Sequence, residues 1–118
     1  MGEEVSWQVE LAVKSGELDN FRALTAEMVE STRGEPEVLS YERFISADGQ
    51  VVHVYERYVN SAAAVEHLRT FGRKFGRRFA GMVDRRRFTV YGTPSAELRG
   101  MLDEFGATYL APFGGFSR

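Results

Sequence analysis

The sequence predicts an α+β fold in which two helices cover a four-stranded antiparallel sheet in the order β-α-β-β-α-β. This is the ferredoxin-like sandwich, here with a C-terminal helix and an apolar tail appended. Three observations carry the prediction. Apolar and polar residues alternate along 5–13, two β-rich runs flank Asp48-Gly49, and apolar residues recur at helical spacing in two segments placed before and after that hairpin.

Each element has its own reason. Val5, Trp7, Val9, Leu11 and Val13 alternate with Ser6, Gln8, Glu10, Ala12 and Lys14, the period-two pattern of a half-buried strand. After Ser15-Gly16, residues Leu18, Phe21, Leu24 and Met28 mark the first helix, which Gly34-Glu35-Pro36 ends. Val38 to Ser46 and Val51 to Val59 form the hairpin, because aspartate and glycine at 48 and 49 tolerate positive φ. Asn60 or Ser61 caps a second helix whose one face carries Ala64, Leu68, Phe71, Phe75 and Phe79. Gly72, Gly76 and Gly81 weaken that helix, so it bends, breaks in two or packs closely on a neighbour. Arg86 to Gly92 reads as the fourth strand, Thr93-Pro94-Ser95 caps a short helix from Ala96 to about Phe105, and the tail from Tyr109 to Phe116 is apolar and contains glycine.

With 118 residues, 43% of them hydrophobic and 13% aromatic, the chain can build one core, and a single domain spanning 1–118 is expected. Without cysteine there is no disulfide, no thiolate nucleophile and no Cys-based metal site, and the two histidines show no metal-ligand spacing. No apolar run is long enough to cross a bilayer, and Met1-Gly2-Glu3-Glu4 lacks the basic and apolar regions of a secretory signal, so a cytoplasmic protein is expected. The net charge of −2 conceals an asymmetry: eight of 15 basic residues fall between Arg69 and Arg87, and eleven of 17 acids precede residue 50. Such a basic run is ordinarily a solvated helix face. It is also the one feature that would suit RNA, but the alternating glycine and aromatic strand of RNA-binding sheets is missing, and no nucleic-acid partner is expected.

The chemistry-bearing residues converge. Glu56 shares a strand face with Val54 and Tyr58, while His67 sits one helical turn before Phe71, so strand and helix deliver a carboxylate and an imidazole to one aromatic place. His67 is the candidate base, because imidazole accepts a proton near neutral pH, and Glu56 is its candidate orienting partner. Tyr55, Trp7, Phe71 and Phe75 are the candidate cleft residues for a small aromatic ligand, and Arg43 and Arg73 are candidates to hold a carboxylate or phenolate, although their spacing does not demand it. His53 falls on the opposite face of its strand. The competing interpretation is a histidine–glutamate hydrogen bond that only locks helix to sheet. The third strand is apolar on both faces, through Val51 and Tyr55 on one and Val52, Val54 and Tyr58 on the other, so the uncovered face calls for a second copy, a homodimer.

The hairpin followed by Tyr55-Glu56-Arg57-Tyr58, the Glu66-His67-Leu68 step, the spaced phenylalanines and the strand Arg87-Phe88-Thr89-Val90-Tyr91 resemble the antibiotic-biosynthesis monooxygenase family of dimeric α+β barrels. The resemblance covers residues 5–92 and leaves 93–118 as a C-terminal extension. It implies a homodimer with a pocket between sheet and helices in each subunit. It also implies oxygenation of a quinol, anthrone or related phenol by dioxygen with neither metal nor flavin, so no cofactor is expected. Heme-degrading relatives use an iron-ligating histidine beyond this helix, whereas Arg73-Lys74-Phe75-Gly76-Arg77-Arg78 contains none. The alternative within the same fold is a non-catalytic dimeric module that binds a small ligand or serves a structural role.

Overall fold

Alternation places Val5–Val13 (β1) at the centre of the sheet, with Val5, Trp7, Val9 and Leu11 buried on one face. The computed structural model describes residues 3–118; Met1 and Gly2, half of the N-terminal stretch considered above, lie outside the described residues. Helix α1 (Leu18–Arg33) follows, then the hairpin of β2 (Val38–Ile45) and β3 (Val51–Tyr58), helices α2 (Ser61–Lys74) and α3 (Gly76–Met82), β4 (Val83–Gly92), α4 (Ala96–Asp103) and β5 (Thr108–Leu110). The strands lie in the order β2-β3-β1-β4-β5. The first four pair antiparallel, which bears out the predicted fold class.

The fifth strand departs from expectation. The start of the apolar tail pairs parallel to β4, Val90 facing Tyr109, with α4 as the crossover, so the sheet is mixed. The helices cover a single face: Phe21, Leu24 and Met28 of α1, Ala64 of α2, Phe79 of α3, and Leu98 and Leu102 of α4 close over Trp7, Val54, Tyr58, Phe88 and Val90. The other face carries Gln8, His53, Tyr55 and Thr89, together with Phe44, which is 58% exposed.

Among the three fates open to the glycine-bearing second helix, it breaks. Phe75 leaves helical geometry at φ −128°, and α3 restarts at Gly76. Close packing is not the reason, since a Cβ at Gly72 or Gly81 would meet nothing within 4 Å. The Asn60 side chain caps α2 by accepting the Ala63 N–H at 2.9 Å. Asn60→Ala should therefore lower unfolding stability by about 1 kcal/mol, read from urea denaturation.

Strand β4 begins earlier than the sequence suggests and contains a bulge. Glu10 pairs with Arg87 but Leu11 with Arg85, which leaves Arg86 as the extra residue. That insertion reverses the strand's parity, so Arg85 joins Phe88 and Val90 on the helix-covered face.

In the β2–β3 hairpin, Gly49 sits at φ +74°, and the Asp48 carboxylate accepts the Gln50 N–H at 3.0 Å and the Ser46 hydroxyl at 2.7 Å. These bonds, the Gln50 N–H first, hold Asp48 below the ordinary aspartate value of 3.8. A carboxyl depressed on folding adds stability that is present above the unfolded value and lost as pH falls through the folded one. The melting-temperature gap between the wild type and Asp48→Ala should accordingly be fully developed at neutral pH and close at pH values well below 3.8.

Candidate functional site

Between the sheet and α2 lies a cavity of about 40 Å³, room for two or three water-sized groups. Trp7, Arg43, Glu56, His67, Phe71 and Arg85 reach it, along with the rings of Phe79, Phe88 and Phe105. The sequence places Glu56 there because β3 alternates, with Val52, Val54, Glu56 and Tyr58 all turned under the helices. His67 arrives from the buried stripe of α2 and is 4% exposed, in T-shaped contact with the Tyr41 ring at 5.3 Å.

The imidazole stands between two carboxylates. Its Nδ1 lies 3.1 Å from Glu35 Oε1 and its Nε2 3.7 Å from Glu56 Oε1. A neutral imidazole with Nδ1–H donating to Glu35 leaves the Nε2 lone pair on the Glu56 side, the orientation a base requires. Glu35 is held by the turn that ends α1: its N–H donates to the Thr32 carbonyl at 2.8 Å and its own carbonyl accepts the Val38 N–H at 3.0 Å. Glu35 is thus the carboxylate within hydrogen-bond reach of His67, while Glu56, the expected partner, stands 3.7 Å away on the other side of the ring.

Glu56 has partners of its own. The Tyr58 hydroxyl donates to Oε1, and Arg43 Nη2 stands 3.9 Å from Oε2. Burial first, then the adjacent carboxylate, raises the Tyr58 phenol well above its usual range and keeps it a neutral donor. Burial likewise raises Tyr41, with Arg43 acting in opposition. The Arg43 guanidinium carbon lies 3.7 Å from the centre of the Tyr41 ring, and among the described residues its Nε and Nη1 are buried without a hydrogen-bond partner. Leaving a buried donor unmatched costs about 1–3 kcal/mol. Arg85, exposed along much of its length, stands over the Phe105 ring at 4.3 Å, and partial desolvation there lowers its proton affinity from the ordinary arginine value while it stays a cation.

Two proposed cleft residues do not reach this cavity. Tyr55 is on the opposite face of β3, paired with Gln8 and Glu42, because neighbours along a strand point to opposite sides. Phe75 is buried at the α2–α3 break, its ring 5.5 Å from Lys74 Nζ and 5.7 Å from the Arg78 guanidinium, and it does not line the cavity that Phe71 reaches. His53 is on the open face as expected, 3.0 Å from Gln8 Nε2. Four residues escaped the sequence reading. Glu35 sits in a helix-ending loop without periodicity, Arg85 is turned inward by the bulge, Phe88 was seen only as part of a strand, and Phe105 comes from the extension. Part of the basic segment is consumed in internal pairs, Arg69 with Glu66 and Glu97 and Arg78 with Glu27. Among the described residues, no group of three or more acidic or histidine side chains is arranged to hold a metal ion.

The family model described as antibiotic biosynthesis monooxygenase matches residues 5–83, the segment that supplies β1, both carboxylates and the imidazole. The chain belongs to this family. Solved structures repeat the fold. MupZ from Pseudomonas fluorescens is 23% identical with a TM-score of 0.87, the match covering 98% of this chain and 95% of that one. Rv0793 from Mycobacterium tuberculosis is 26% identical with a TM-score of 0.63, covering 78% and 96%. A protein from Nitrosomonas europaea, provisionally described as an antibiotic biosynthesis monooxygenase, is 24% identical with a TM-score of 0.67, covering 79% and 92%. The wider coverage of the MupZ match takes in the C-terminal extension that carries Phe105. A search of the curated proteins finds no match. Among the described residues, no helix is long and apolar enough to cross a membrane.

Proposed function

We propose that this family member is a monooxygenase that needs no cofactor and oxidises a small quinol, anthrone or related phenol with dioxygen. The observation that carries the proposal is a buried imidazole with one nitrogen tied to Glu35 and the other turned toward Glu56 in a cavity walled by aromatic rings. His67 Nε2 takes a proton from the substrate's O–H or activated C–H, with Glu56 beside it to offset the charge that develops. The resulting anion passes one electron to dioxygen, and the radical pair combines to a peroxide. For a CH₂ centre, loss of water then leaves a carbonyl: one oxygen atom enters the product, the other leaves as water, and the substrate supplies all four electrons. Trp7 and Phe71, walls of the cavity that receives the reacting O–H or C–H, keep bulk water from that edge of the substrate.

The working unit in this reading is a homodimer formed through the open sheet face, where Phe44 and Tyr91 are 58% and 38% exposed. Oxygen uptake by the purified, metal-stripped protein with dihydroxynaphthalenes and anthrones tests the activity. Uptake above the uncatalysed rate is the expected result, and a rate equal to the blank across the panel refutes it.

A further inference from the structure

The unmatched Arg43 guanidinium is the feature the proton-transfer chemistry does not use. It forms a wall of the inner cavity and also of a separate groove of about 340 Å³ between α1 and the edge strand β2, floored by Leu18, Phe21, Ala26, Ile45 and Val52. Among the described residues, the carboxylate paired with it is Glu56, which approaches Nη2 at 3.9 Å, beyond hydrogen-bond reach, and its guanidinium carbon lies 3.7 Å from the centre of the Tyr41 ring. Nε and Nη1 therefore remain buried donors without acceptors. Buried donors are nearly always satisfied, so two on one cation point to an acceptor supplied from outside the chain.

We propose that the substrate is an aromatic acid with a hydroxyl beside its carboxylate: the carboxylate pairs with Arg43, the rings lie in the α1–β2 groove, and the hydroxyl enters the inner cavity next to Glu56 and His67. The proposal rests on the monooxygenase reading above and names its substrate class. Arg43 meets the carboxylate with Glu56 behind it, and Arg22, which lines the same groove, adds positive potential around the acid. The sizes agree with the assignment. The inner cavity of about 40 Å³ takes small polar groups but no ring, and the groove of about 340 Å³ takes a bicyclic body.

The test is binding without turnover, under nitrogen, by calorimetry with 1-hydroxy-2-naphthoate and with 1-naphthol, which lacks only the carboxylate. Wild-type protein should bind the acid at least tenfold more tightly, and the Arg43 Nε–H resonance should shift as it is added. In Arg43→Met the advantage should vanish, while Arg43→Lys should restore part of it. Equal binding of the two compounds by the wild type, no binding of the acid, or an advantage that survives in a folded Arg43→Met overturns the proposal; the wild-type comparison decides alone if that variant does not fold. Because no oxygen is present, an absent oxygenase activity leaves this result intact, and an absent acid preference leaves the oxygenase reading intact.

Discussion

Replacing His67 with glutamine should lower kcat for oxygen uptake by about 10²–10⁴-fold, the usual worth of a positioned general base. Glutamine suits the test because its amide can still donate toward Glu35, 3.1 Å from Nδ1, and face Glu56, so the buried carboxylates keep a polar neighbour. The urea midpoint should consequently move little, by the equivalent of about 1 kcal/mol. A histidine that only locked α2 to the sheet would give the opposite pair of results: undiminished uptake and a large fall in midpoint. Measuring both quantities on one preparation separates the roles.

Trp7→Ala should be the most damaging single change to stability, at about 3–5 kcal/mol in urea denaturation. The ring is 1% exposed and packs on Tyr58 at 4.8 Å and Phe88 at 5.7 Å between centroids, in the central strand where neither backbone neighbour can close the gap. Since a domain of this size holds only about 5–15 kcal/mol in total, the variant should be folded but marginal at 25 °C. It should also lose activity, because the same ring walls the cavity and, through Tyr58, supports the hydroxyl that bonds Glu56. A loss below about 1 kcal/mol would mean that the core can collapse around the missing ring.

What the sequence made legible follows from which physical signals are local. Period-two alternation in Val5–Val13 and Val51–Tyr58 and the Asp48-Gly49 turn are properties of neighbours in the chain, and the sheet follows from them. The same alternation put Glu56 under the helices, and the helical stripe of α2 put His67 above it. Tyr55 is a different case: alternation along β3 already sets it with Val51 on the face opposite Glu56, which is where the structure has it, so its place in the cleft never followed from the strand. Phe75 was placed by continuing a helical spacing beyond the point where the helix ends. Glu35, Arg85 and β5 were not visible for a different reason. A loop carboxylate has no period, a bulge at Arg86 leaves no compositional trace before the register is known, and three residues at Thr108–Leu110 are too few to show a pattern.

The measurement that bears most directly on the proposed chemistry is the fate of labelled dioxygen. With ¹⁸O₂ and the anthrone or quinol that gives the fastest uptake, one labelled atom should appear in the product and the other in water, one dioxygen being consumed per substrate oxidised. Product formed without label, label drawn from water instead of dioxygen, or hydrogen peroxide in place of water would contradict the monooxygenase account.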